Sequence, residues 1–267
     1  MFDFAYERFS SRHRGRLGVL QTPHGTIQTP AFIFCATKAS IKGMPMEVMQ
    51  TLGTQIVLSN TYHLMLQPGA QIVQEAGGLH KFCGWAGPML TDSGGFQIFS
   101  LGHGSVADEI KGRRKSGWEK STLKLDETGA IFRSYVNGAK YLLTPEKSID
   151  VQRKLGADFI VVLDECTPFH TTKEYTADSM ERSHRWGKRC LKEFEKQDYG
   201  RQKLYGIIQG GIYEDLRSQS IDFVNSMPFF GHAIGGSLGG DKTQMFDIVE
   251  YSTPLLSPDR PIHLLGI

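Results

Sequence analysis

Several polar residues sit where short apolar runs end, and their types suit the recognition of a flat, polar ligand. Asn60 closes the run 56–60, and Asp92 closes 89–92. Asp164, with Glu165 and Cys166 behind it, closes 159–164. Gln209, with Gly210 and Gly211, closes 205–209, and Gly235-Gly236 follows 232–234. A carboxylate at Asp164 can accept two N–H groups from an amidine-like edge such as guanine's. The Gln209 amide can donate to a carbonyl oxygen. Bare backbone at Gly235 and Gly236 admits close approach and offers N–H donors, and Phe96 or Cys166 can pack on a base face. Such a set reads the Watson–Crick edge of an extruded base. Asp92 is then a carboxylate poised for proton transfer. Each residue alone has a plainer reading. A strand-terminal aspartate is often a helix N-cap, and paired glycines usually serve a tight turn.

Shared placement depends on the elements between these residues. Apolar runs at 31–35, 56–60, 89–92, 159–164, 205–209, 232–234 and 263–266 alternate with helical patterns. Helices are expected at 45–52, 145–155, 172–197, 214–225 and 243–255, with Thr144 as N-cap before Pro145. This alternation implies parallel βαβ units, and continuous apolar strands suit a sheet buried on both faces. The fold class is α/β. The preferred architecture is a (β/α)8 barrel lacking its eighth strand, with a doubly wound open sheet as the alternative. In a barrel all these strand ends share the face where active sites are built. A strand–turn segment precedes the first run: 17–21, a Pro23-His24-Gly25 turn, then 26–29. A hairpin inserted after the third run pairs 123–126 with 131–136 across Glu127-Thr128-Gly129.

Composition narrows the class. The chain has 267 residues, 40% hydrophobic and 22% charged, which suits one globular domain over 1–267. No apolar run is long enough for a membrane span, and the start is no secretory signal, so a cytoplasmic protein is expected. Cys35, Cys83, Cys166 and Cys190 are widely spaced and form no zinc-binding pattern. Thirty basic residues against 28 acidic ones give no global nucleic-acid signal. Two local clusters could meet a polyanion or be solvated surface. One holds Lys111, Arg113, Arg114, Lys115 and Lys120 around Trp118; the other holds Arg182, His184, Arg185, Lys188, Arg189 and Lys192.

The stretches Leu58-Ser59-Asn60-Thr61-Tyr62-His63-Leu64, Thr91-Asp92-Ser93-Gly94-Gly95-Phe96-Gln97, Thr144-Pro145-Glu146-Lys147-Ser148, Asp164-Glu165-Cys166-Thr167-Pro168, Gln209-Gly210-Gly211 and Ala233-Ile234-Gly235-Gly236 resemble the tRNA-guanine transglycosylase family in order and spacing. The resemblance runs from about Gly18 to Ile267. It implies a modified TIM barrel and a ping-pong exchange of the wobble guanine of tRNA for queuine or its 7-deazaguanine precursor, a step of queuosine modification. It implies that Asp92 acts as general acid/base, that Asp164 and Gln209 read the base edge, and that Gly236 is a backbone donor. Phe96 and Leu265 match residues that sandwich the base. Cys166 matches a cysteine near the pocket, and Asn60 the asparagine that orients the nucleophile. Ser93, Gly94, Gly95, Gly235, Ser237 and Gly239 lie in the same motifs and are expected to line the substrate. The implied partners are tRNA, at its anticodon loop, and a free base; a homodimer is implied for the full-length protein.

Two departures from the family pattern carry expectations. The family's nucleophilic aspartate lies on an eighth strand, followed by zinc ligands (three cysteines and a histidine). Neither is found in this sequence, so a structural zinc is expected from the family without ligands here. The chain is expected to be part of a longer protein, unable alone to form the covalent intermediate. Second, the loop Gly235-Gly236-Ser237-Leu238-Gly239-Gly240-Asp241 has glycine where bacterial members usually have valine. Gly239 would leave room for the bulkier queuine; neutral drift is the alternative. Two other functions fit the sequence less well. A non-catalytic subunit need not keep Asp92 beside Asp164 and Gln209. A metal-dependent hydrolase would need clustered ligands, and His63 and His232 read as structural.

Overall fold

The computed structural model describes residues 1–9, 15–98, 122–197 and 200–266. The cluster around Trp118 lies outside the described residues. In chain order the strands are β1 Asp3–Phe9, β2 Arg16–Thr22, β3 Gly25–Thr29, β4 Ile33–Cys35, β5 Ile56–Ser59, β6 Met89–Thr91, β7 Thr122–Asp126, β8 Gly129–Arg133, β9 Lys140–Leu143, β10 Phe159–Val161, β11 Lys203–Ile208, β12 Gly231–Ile234 and β13 Ile262–Leu264. The helices are α1 Met46–Thr51, α2 Thr61–Leu66, α3 Ala70–Glu75, α4 Leu79–Cys83, α5 Pro145–Leu155, α6 Lys173–Glu195, α7 Glu214–Ser226 and α8 Lys242–Ser252.

Seven strands form one parallel sheet in the order β4-β5-β6-β10-β11-β12-β13. Neighbours in space are successive in the chain. That is barrel order; a doubly wound sheet would reverse direction partway. The central strands β6, β10 and β12 are buried at every position, as expected where both faces are covered. The outer strands β4 and β13 are more open, with Phe34 39% and Leu264 38% exposed.

Two antiparallel sheets flank this one. β1-β2-β3 lies at the N-terminal ends of the parallel strands, where Phe2 meets the rings of Phe159 and Phe230. The expected 17–21 and 26–29 strands are here, and β1 adds a third. The inserted hairpin is also a three-stranded sheet, β7-β8-β9. Its middle strand ends at Arg133 rather than Val136, because Ser134 and Gly138 close a turn: Gly138 N–H donates to Ser134 O at 2.8 Å. Between β5 and β6 the sequence reading named no element, yet α2, α3 and α4 lie there. They are too short for a readable period.

The α5 helix follows its sequence signals. Thr144 Oγ1 accepts from Lys147 N at 3.1 Å, Pro145 opens the first turn, and Gly156 ends it with φ +75°. From its inner face, Gln152 substitutes for a missing part of the sheet. β10 and β6 share only the Phe159–Leu90 pair. Further along, Gln152 Nε2 donates to Val161 O at 2.9 Å while Val161 N–H donates to Gln152 Oε1 at 3.0 Å. Thr91 Oγ1 also donates to Gln152 Oε1, at 3.1 Å. One fully buried amide therefore sets the spacing between the strands that lead to Asp92 and Asp164.

Candidate active site

Asp92 leaves β6 just before the helical turn that begins at Gly95, and the Gly94 N–H donates to its carboxylate. Its Oδ1 accepts from Thr61 N at 2.7 Å, at the start of α2. Its Oδ2 accepts from Asn60 Nδ2 and, at 2.9 Å, from Gln97 Nε2. Thr61 Oγ1 donates back to Asp92 O at 2.6 Å. Burial pushes the Asp92 carboxyl above the usual carboxylate range, and the donors from Asn60, Thr61 and Gln97 partly oppose this. Asp92 is thus held rigidly while its basicity is raised. Asn60, expected to orient a nucleophile, here orients Asp92.

Asp164 follows β10 and is 6% exposed. Its Oδ2 accepts from Gln209 Nε2 at 2.5 Å, and its Oδ1 from Ser93 Oγ at 3.3 Å. Burial lifts its pKa to about 7; the Ser93 and Gln209 donors lower it, and the charge of Asp92 raises it further. Asp92 and Asp164 are therefore close enough to couple, and Ser93 links their segments. Ser148 Oγ, from α5, donates to Ser93 O at 2.7 Å and fixes that link. Gly95 lies against Asp164, where a Cβ would stand 2.6 Å from Asp164 O, and Gly94 sits at φ +85°.

The Gly235-Gly236 segment meets the same group. A Cβ on Gly236 would lie 2.4 Å from Gln209 Oε1, and one on Gly235 3.1 Å from Leu265 Cδ1. Gly236 also has φ +72°, so the turn reading and the close-approach reading both hold. The structure therefore brings together Asn60, Asp92, Ser93, Gly94, Gly95, Asp164, Gln209, Gly235, Gly236 and Leu265. Phe96 is 47% exposed on the helical turn after Gly95. The Cys166 thiol is pushed up to about 12 by burial, so it stays protonated and offers surface rather than a nucleophile. Ser237 bonds through its backbone to Arg217, and its Oγ accepts from Gly239 N at 3.4 Å. Gly239 contacts α8: a Cβ there would stand 2.6 Å from Gln244 Cβ, at φ +101°. This glycine has a local backbone reason of its own.

Gln97, Thr61, Ser148, Gln152 and Arg217 were not singled out as site residues from the sequence. Gln97, Thr61 and Ser148 stand within the motif stretches, and their polar types are the signal. Gln152 and Arg217 act on backbone groups that only the fold brings to them.

The basic cluster on α6 proves to be mostly paired within the chain. Arg182 bonds Glu165; Arg185 bonds Glu127 at 2.9 and 2.6 Å; Arg189 bonds Glu146 at 2.7 Å. His184 Nε2 lies 2.8 Å from Ser220 Oγ, and burial lowers its pKa to about 4. Lys188 stands over the Phe223 ring. His232 is fully buried and its pKa is lowered by burial to about 4, as befits a structural histidine.

Among the described residues, one group could gather three metal-ligating atoms: His24, His80 and Asp158, within 4.8 Å. It lies at the opposite ends of the strands from Asp92. Its atoms already satisfy one another, with His24 Nδ1 2.7 Å and His80 Nε2 3.2 Å from the two Asp158 oxygens and Met89 N–H donating to Oδ2 at 2.8 Å. The four cysteines form no cluster, so the residues described do not fit a three-cysteine, one-histidine zinc site.

The model of the queuine tRNA-ribosyltransferase family matches residues 11–267. The queuine tRNA-ribosyltransferase of Roseiflexus sp. (strain RS-1) is 44% identical over 99% of this chain and 68% of its own length. That of Protochlamydia amoebophila (strain UWE25) is 45% identical over 100% of this chain and 68% of its own, and that of Chlamydia pneumoniae is 46% identical over 97% and 68%. A parallel sheet in barrel order, two coupled buried carboxylates on one rim and a match over nearly the whole length agree: the chain belongs to the queuine tRNA-ribosyltransferase family of tRNA-guanine transglycosylases.

Proposed function

We propose that this chain supplies the base-reading and proton-transfer residues of an enzyme that exchanges the wobble guanine of tRNA for queuine or its 7-deazaguanine precursor. The observation that carries the reading is the Asp164–Gln209 pair, buried beside Asp92 and against Gly236. The guanine edge carries adjacent N–H donors and a carbonyl. Asp164, once ionised, accepts the donors. Gln209 Nε2 turns from Asp164 to the carbonyl, where the Gly236 N–H also donates. Phe96 and Leu265 cover the two base faces, and Cys166 contributes apolar surface.

In the exchange an aspartate attacks the ribose carbon, the bond to guanine breaks, and a covalent enzyme–RNA ester holds the ribose. The departing base takes the bonding electrons and gains a proton from Asp92. Asp92, then ionised, removes the corresponding proton from the incoming base, which attacks and frees the ester. The attacking aspartate is distinct from Asp92 and Asp164, which serve the base. The same reading takes tRNA, at its anticodon loop, as partner, and extends to a closed eight-stranded barrel, a homodimer and a cytoplasmic location. No helix among the described residues is long and apolar enough to cross a membrane. Gly239, lacking a side chain, is read as admitting queuine.

The test is incorporation of labelled guanine into tRNA by the purified protein. Exchange that disappears in Asp92→Ala supports the reading. Binding of guanine without exchange would make the chain a base-binding subunit, and failure to bind guanine would overturn it. For the loop, exclusive use of the aminomethyl precursor would contradict the queuine reading.

A further inference from the structure

Among the described residues, Arg217 is the largest fully buried charged side chain, at 1% exposure. It stands in the first turn of α7, and its bonds all go to backbone carbonyls. Nε donates to Gly211 O at 2.8 Å; Nη1 donates to Ile208 O at 3.2 Å and to Gly235 O at 2.9 Å; Nη2 donates to Ser237 O at 3.1 Å. None of these bonds reaches a carboxylate. Desolvation lowers its pKa to about 10, which leaves it charged at neutral pH. A buried cation is costly, and the stability of the fold alone does not call for one. Its acceptors lie on the two segments that bear Gln209 and Gly236.

We propose that Arg217 is a positioning and polarising residue for recognition of the base carbonyl. The inference rests on the base-edge reading of Gln209 and Gly236. Two effects combine. The guanidinium fork ties the end of β11 to the loop after β12, so the Gln209 amide and the Gly236 N–H keep a fixed separation. The packing leaves little slack: a Cβ on Gly210 would stand 2.7 Å from Arg217 N. The second effect is electronic. Gly235 C=O and Gly236 N–H belong to one peptide group. A charge-assisted bond to the carbonyl draws electron density from the nitrogen and strengthens its N–H as a donor. As the base departs with the bonding electrons, negative charge spreads to its carbonyl oxygen. A donor backed by a fixed cation stabilises that state more than the neutral base.

The experiment compares guanine with 6-thioguanine, which keeps the N1–H and 2-amino donors but puts a weakly accepting sulfur in place of the carbonyl oxygen. Dissociation constants for both are measured on the purified enzyme and on Arg217→Lys and Arg217→Met, beside guanine-exchange kinetics. The expected wild-type preference for guanine is roughly threefold to tenfold, the range for one neutral hydrogen bond. In Arg217→Met that ratio collapses toward one and kcat falls further than KM rises; Arg217→Lys recovers part of the kcat. The ratio is independent of the folded fraction, so partial unfolding cannot imitate the result. A guanine preference and a kcat per folded site that survive in Arg217→Met would overturn the proposal. A wild-type enzyme that binds both bases equally would instead sink the reading of Gln209 and Gly236 as carbonyl donors beneath it.

Discussion

Gln209 Nε2 donates to Asp164 Oδ2 at 2.5 Å, so the two groups read as base readers already engage each other. The pair is stored in a state that guanine must open. With its pKa near 7, Asp164 is partly protonated at neutral pH. Guanine's donors need the carboxylate form. Affinity for free guanine should therefore fall as pH drops below about 7, approaching tenfold per pH unit. Isothermal titration from pH 8 to pH 5 checks this, and an affinity constant across that range would exclude Asp164 as the acceptor.

The same shift has a stability consequence of defined sign. The folded-state pKa of Asp164 lies above its unfolded value, so its contribution is full below about pH 4 and is lost as pH rises toward 7. Asp164→Asn keeps an acceptor toward Gln209 and cannot ionise. It should gain melting temperature relative to wild type between pH 5 and pH 8. Parallel melting profiles for the two proteins would show that Asp164 carries no such penalty.

Gly236→Ala tests the close approach to Gln209. Its backbone at φ +72° costs about 1–2 kcal/mol for any side chain, and the new methyl meets Gln209 Oε1. Gly138→Ala has φ +70° but nothing within 4 Å. Both variants should lose similar stability by urea titration, while only Gly236→Ala loses guanine binding. Equal guanine binding in the two would mean that Gly236 serves only the turn.

Gln152→Ala removes both partners of the Val161 backbone. With a buried N–H and C=O left unpaired, a loss of about 2–4 kcal/mol is expected. Since Gln152 spaces the strands bearing Asp92 and Asp164, kcat should fall in the protein that remains folded. An unchanged urea midpoint would show that water replaces the amide at no cost.

Much of this site could be read from the chain because its chemistry is local in sequence. Asp92, Asp164 and Gln209 each end a buried strand, and a polar residue at such a place is visible as a break in an apolar run. Strand order, too, followed from alternation with helices. Other features depend on partners far along the chain. Arg217 looks like any charge on an amphipathic helix until its carbonyls from 208 to 237 gather around it. Arg182, Arg185 and Arg189 look like a basic stripe until Glu165, Glu127 and Glu146 meet them. The helices α2 to α4 span two turns or less, too short for a hydrophobic period to appear.

The central claim is a division of labour: Asp164 reads the base and Asp92 moves its proton. The most direct test measures guanine binding and guanine exchange side by side in Asp164→Asn and Asp92→Ala. The account predicts that Asp164→Asn loses binding of free guanine, while Asp92→Ala binds guanine within a few-fold of wild type yet incorporates none into tRNA. Loss of guanine binding in Asp92→Ala with binding intact in Asp164→Asn would contradict it.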